Sequence, residues 1–194
     1  MPQQEALSSL VDAIFERHSV RSYKPRKLDR AAINTLLASA VRAPTAIHEE
    51  AWAFVIVQDT ERLKRLSDRA KELLAAEAHH HADRGGHTPD FFTAPDFNVF
   101  YNAGTLIVIC GRTAGPFVTA DCWLAAENLM LTATSMGLGT CVIGSSLLAL
   151  NTPEWKAELG IPADLAAVAP IIVGVPSEEG EPTPRKEPLI LSWK

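Results

Sequence analysis

The chain has 194 residues, 47% of them hydrophobic and 21% charged, with a formal net charge of −5. This length suffices for one domain with a sizeable core, and the composition excludes a disordered chain. The acidic balance argues against a nucleic-acid surface, which needs an excess of Lys and Arg along one face.

The opening, MPQQEALSSL, lacks the basic start and apolar run of a secretory leader, and no apolar stretch is long enough to span a bilayer. A cytoplasmic protein without membrane segments is expected. Leu7, Leu10, Val11, Ile14 and Phe15 recur at helical spacing and predict an amphipathic helix over residues 4–17. A basic segment follows, and then LDRAAINTLLASAVRAP reads as a second helix with Asp29 as cap and Pro44 past its end. AFVIV (53–57) reads as a buried strand, and TERLKRLSDRAKELLAAEAHHHAD as a polar third helix.

Residues 84–103, with Gly85-Gly86, Pro89 and Pro95, read as a long loop. Its Phe91, Phe92, Phe97, Phe100 and Tyr101 either stack on substrates as a lid or anchor the loop on the core, and the loop's length favours the lid. TLIVIC (105–110) is a second strand, and residues 118–136 form the most apolar helix, which stops at Gly-Leu-Gly. TCVIG is a strand, TPEWKAELG a short helix with Thr152 as cap and Gly160 at its end, and AVAPIIVGVP a buried strand.

The tail is polar and proline-rich until LILSW, which reads as one more strand. So apolar a segment beyond a stiff polar linker offsets its ordering entropy only by adding to a sheet edge, in its own subunit or a partner's. Helices and strands mix without regular βαβ alternation, so the fold class is α+β.

Cys110, Cys122 and Cys141 sit in apolar contexts without metal-type spacing and read as buried reduced thiols. His79, His80 and His81 are adjacent on a helix and point in different directions, so no metal site is expected there.

The first helix ends in FERHSVRSYKPR, which gathers Arg17, Arg21, Lys24 and Arg26 around His18 and Ser19. If the chain runs extended here, residues two apart point the same way, and Arg17, Ser19 and Arg21 share one face. Two forked guanidiniums and a hydroxyl suit a phosphate or carboxylate. A solvated basic patch explains the same spacing, which leaves both readings open.

Four segments, in order, resemble the nitroreductase family of FMN-dependent oxidoreductases: ERHSVRSYKP; ASAVRAPTAIHEEAWAFVIV; DCWLAAENLMLTATSMGLGTCVIGS; and PIIVGVPSEEGEPTPRK. Together they span most of the chain, and only residues 60–103 have no clear match. The resemblance implies a single domain over residues 1–194, built as a three-layer sandwich around a mostly antiparallel sheet. Residues 84–103 would form a loop or lid, and 176–194 a C-terminal extension exchanged with a partner in a homodimer.

It also implies FMN at the dimer interface. Arg17, Ser19 and Arg21 would hold the phosphate, ribityl chain and pyrimidine edge, His18 would contribute through its backbone or a hydrogen bond, and Arg185 would arrive from the tail. Pro44, Thr45 and Ala46 would come from the other subunit, His48 would stand where the family's Asn contacts the flavin, and Ile143 and Gly144 would lie against the ring, Gly144 for close approach. NADH or NADPH would deliver a hydride and a planar acceptor, a nitroaromatic or quinone, would take it in turn, by ping-pong kinetics without a catalytic side chain.

Two departures stand out: His48-Glu49-Glu50-Ala51-Trp52 where the family commonly has Asn-x-Gln-Pro-Trp, and Glu127-Asn128 where it has Gln-Asn. The first keeps open a flavin-binding protein without turnover. A same-fold enzyme with another substrate, a dehalogenase or a flavin-degrading enzyme, is a third reading.

Overall fold

The computed structural model describes residues 10–48, 50–81, 94 and 96–194. The helices are α1 (Leu10–Glu16), α2 (Arg30–Ala40), α3 (Thr60–His81), α4 (Val118–Ser135), α5 (Leu147–Leu150) and α6 (Pro153–Leu159). The strands are β1 (Trp52–Val57), β2 (Thr105–Arg112), β3 (Gly139–Val142) and β4 (Leu165–Gly174). They form one antiparallel sheet in the order β1-β2-β4-β3.

The sheet has a core on each face, so the molecule has three layers. From β2, Leu106, Val108 and Cys110 point to one side, with Leu66, Phe100, Leu150 and Trp155; Ile107 and Ile109 point to the other, with Leu36 of α2 and Leu129 of α4. In β4, Ala167 and Ile172 join the first core, whereas Ala169, Ile171 and Val173 join the second. That change of parity needs an extra residue, and the β2–β4 register shifts between Ile109 and Cys110.

Capping follows the sequence. Asp29 accepts from the Ala32 N–H at 2.8 Å, Thr152 accepts from the Trp155 N–H, and Gly160 closes α6 at φ 69°.

Three expectations need correction. The strand at 53–57 is an edge strand, β1, and mostly half-buried rather than buried. LILSW forms no strand with its own chain; Leu189, Leu191 and Trp193 are 86%, 90% and 89% exposed. Of the loop aromatics, Phe100 is fully buried and Tyr101 packs edge-on against Phe97 at 5.6 Å, so these three anchor the chain because the core has room for rings under β2. Phe91, Phe92, His87 and most of the expected lid lie outside the described residues.

The apolar stripe of α1 is real, but it faces outward. Ala13 is buried, where α1 lies against α4, while Leu10, Val11, Ile14 and Phe15 are 66%, 57%, 51% and 74% exposed. No helix among the described residues is long and apolar enough to cross a membrane.

Candidate functional site

After Glu16 the chain runs extended along the outer edge of β3. Ser19 pairs with Thr140 in a parallel bridge, and the Val20 N–H donates to the Thr140 carbonyl at 2.9 Å. Farther on, Tyr23 bridges Pro176, and the Lys24 N–H donates to the Val175 carbonyl at 2.9 Å. The Ser177 N–H donates to the Ser22 carbonyl at 3.1 Å, and the two serine hydroxyls are hydrogen-bonded. Tyr23, its phenol pushed far up by burial, donates to the Val20 carbonyl at 2.8 Å. The basic segment is therefore held at both ends, to β3 and to the chain leaving β4.

Extended backbone alternates its side chains, and this segment does so. Glu16, His18, Val20 and Lys24 line a cleft of about 760 Å³ shared with the end of α4 and with Ser177–Gly180. Within it the His18 Nδ1 donates to the Glu16 carbonyl at 2.9 Å, and a Cβ on Gly180 would collide with His18 Nε2. Arg17, Ser19 and Arg21 are absent from that lining, and all three act on the Cys141 thiol of β3. Burial raises the Cys141 thiol, while Arg21, a hydrogen bond with Ser19, and Arg17 each oppose the rise.

The two arginines are not equivalent. Arg17 Nε lies 3.7 Å from Glu127 Oε1 on α4, with the side chains 21% and 49% exposed. Arg21 is exposed and has no ion-pair partner among the described residues. Two guanidiniums and a hydroxyl on one side of a pinned strand give donors for an anion such as a phosphate, with one cation wholly available.

Past β3 the chain turns sharply. Ile143 is buried and its N–H donates to the Pro170 carbonyl at 2.8 Å; the Ser146 hydroxyl donates to the Ile143 carbonyl at 2.7 Å. Gly144 opens a short 3-10 turn, is exposed, and a Cβ there would meet nothing within 4 Å. The turn is held by these hydrogen bonds, and its glycine faces open space.

Pro44, Thr45 and Ala46 lie elsewhere. The Ala46 N–H donates to Asp121 Oδ1 at 3.2 Å, in the first turn of α4. Asp121 and Glu127 are six positions apart, or roughly 9 Å along the helix. His48 ends a 3-10 turn that contains Ile47 at φ 50° and is followed by Glu50 at φ 44°. Arg185 is exposed on the tail and makes no hydrogen bond or ion pair among the described residues.

Sequence reasoning missed Asp121, a buried carboxylate that fixes the Pro44–Ala46 segment, and Ser146, which pins the Gly144 turn. The acidic residue in the first turn of α4 was the available signal for Asp121; nothing local marks Ser146.

All three cysteines are free and buried, and burial pushes Cys110 and Cys122 up to about 11. Those two thiols are protonated at neutral pH and belong to the core. Among the described residues, no group of three His, Cys, Asp or Glu could hold a metal ion.

Comparison with known proteins adds an independent line. The sequence model of the nitroreductase family matches residues 14–175. A Cr(VI) reductase of Pseudomonas sp. is 29% identical over 91% of this chain and 70% of its own length. An FMN reductase (NADPH) of Bacillus subtilis is 28% identical over 71% of this chain and 55% of its own. A crystal structure of a nitroreductase with bound FMN from Bacteroides fragilis superposes with a TM-score of 0.79 at 25% identity, covering 96% of this chain and 98% of that one.

Proposed function

This chain belongs to the nitroreductase family, and we propose that it is an FMN-dependent oxidoreductase that draws on NAD(P)H to reduce a planar acceptor, a nitroaromatic or a quinone. The observation that carries this reading is the placement of Arg17, Ser19 and Arg21 on a pinned extended strand, alternating with the residues that line the cleft, with the open Gly144 turn at the far end of β3. FMN, when bound, supplies the hydride and electron transfer.

The donor set fits that group. A phosphate dianion needs cationic forks and a hydroxyl; among the described residues Arg21 has no ion pair and Arg17 is only loosely paired. Gly144 leaves room for a ring to approach the backbone. In this reading Arg17, Ser19 and Arg21 orient the phosphate, ribityl chain and pyrimidine edge, and His18 supports the segment from the cleft side. Ile143 and Gly144 back the ring, and binding and orientation do most of the work. No side chain transfers a proton in a defined step.

The site is completed by a second copy. Ala46 is tied to Asp121, about two helical turns along α4 from the Glu127 that pairs with Arg17, and in this reading Pro44, Thr45, Ala46 and His48 serve the neighbour's site. The exposed apolar faces of α1 and the tail give such a dimer its buried area. The tail, with Arg185 and LILSW, reaches across; β1 is the sheet edge with room for it, because the outer side of β3 is bridged by Ser19.

The test is direct. The purified protein should be yellow, release FMN on denaturation, and oxidise NADPH or NADH when given a quinone. Replacing Arg17 and Arg21 together by Ala should leave the circular dichroism unchanged and yield a pale, inactive protein. A fully flavinated double variant would sink the phosphate assignment, and a yellow protein without turnover would favour a flavin carrier.

A further inference from the structure

The cradle carries a feature that FMN binding does not require. Glu127 projects from α4 toward Arg17, at 3.7 Å from Nε to Oε1. That separation is an ion pair but too long for a hydrogen bond. Both partners are partly exposed, Glu127 by 49%, so water screens the pair and its strength is modest. Arg17 is thus held by an anion that a better ligand can displace.

We propose that Glu127 is a competitor built into the cradle: its carboxylate pairs with Arg17, must yield that cation to the phosphate, and so weakens the retention of FMN. The inference rests on the reading of Arg17 as a phosphate ligand. Glu127 cannot retreat with its helix. The next residue, Asn128, donates through Nδ2 to the Ser39 carbonyl at 3.2 Å, and Leu129 is fully buried. Only the half-exposed side chain can swing away.

Arg21, unpaired among the described residues, offers an arriving dianion its first contact. Arg17 then exchanges one carboxylate for a doubly charged group. Glu127 competes only for Arg17, and so opposes the phosphate and no other part of the flavin. Riboflavin, which has the same ring and ribityl chain but no phosphate, is therefore the natural control.

Equilibrium dialysis of the full-length protein against FMN and against riboflavin, at one ionic strength, tests this with wild type, Glu127→Gln, Glu127→Ala, Arg17→Ala and the Arg17→Ala/Glu127→Gln double variant. Both Glu127 variants should bind FMN about two- to tenfold tighter, the scale of one partly exposed charge interaction. Riboflavin affinity should not change, and the gain should largely vanish in the Arg17→Ala background. Unchanged or weaker FMN binding would overturn the inference, weaker binding by showing that Glu127 holds Arg17 ready; so would an equal gain for riboflavin. If Arg17→Ala binds FMN as well as wild type, the phosphate assignment itself falls and takes this with it. If Arg17→Ala weakens FMN but neither Glu127 variant strengthens it, the role of Glu127 alone is refuted.

Discussion

Gly139 and Gly144, five residues apart around β3, serve opposite purposes. A Cβ at Gly139 would lie 2.6 to 2.9 Å from three atoms of the Val20 side chain, so the bare backbone lets the basic segment lie flat on β3. G139A should push that segment away and destabilise the protein by about 1–3 kcal/mol in urea unfolding, the usual cost of overpacking. At Gly144 an added methyl meets nothing within 4 Å. G144A should therefore leave stability within about 0.5 kcal/mol of wild type, yet lower the affinity for FMN if the ring rests there. Equal stability losses in the two variants would contradict this contrast. The sequence reads Gly139 as part of the helix stop and Gly144 as a point of close approach; only the neighbours of each α-carbon show that a methyl at Gly139 would strike Val20.

At the scale of elements, the helices are placed by their caps and their faces by what they meet. Asp29 caps α2, which packs on α4 and leads into the Pro44–His48 segment. D29A should cost about 1 kcal/mol in denaturant midpoint analysis, and D29N should recover most of it, because Asn caps nearly as well. Full stability in D29A would mean that packing alone sets the start of α2. The caps of α2 and α6 were legible because capping is chemistry within four residues. The outward face of α1 was not: its periodicity states that an apolar stripe exists, and not which surface covers it. β1 was misjudged for the same reason, since a run of apolar residues does not say whether a strand lies at the centre or the edge of its sheet.

At the scale of the whole molecule, the tail is the segment that leaves both cores and lies open to solvent. Residues 181–194 are exposed along their length and carry Arg185 and the apolar LILSW. A chain stopped after Gly180 should keep its far-UV circular dichroism, because both cores lie within residues 20–173. It should also dissociate at lower dilution in sedimentation and lose FMN on gel filtration. A truncated chain that stays dimeric and yellow would show that the tail is dispensable to assembly. The order of helices and strands, the three buried thiols and the odd-residue face of the basic segment could be read from the residues, since each depends on neighbours close in sequence or on burial of apolar side chains. Sequence by itself thus determined most of the elements and the alternation that sets Arg17, Ser19 and Arg21 apart from the cleft-lining residues of the basic segment. The tertiary structure alone decided the strand order, the bulge that sorts β4 between two cores, the outward apolar face of α1 and the pairing of Arg17 with Glu127. Those depend on contacts between segments distant in sequence, on which local periodicity and charge place no constraint.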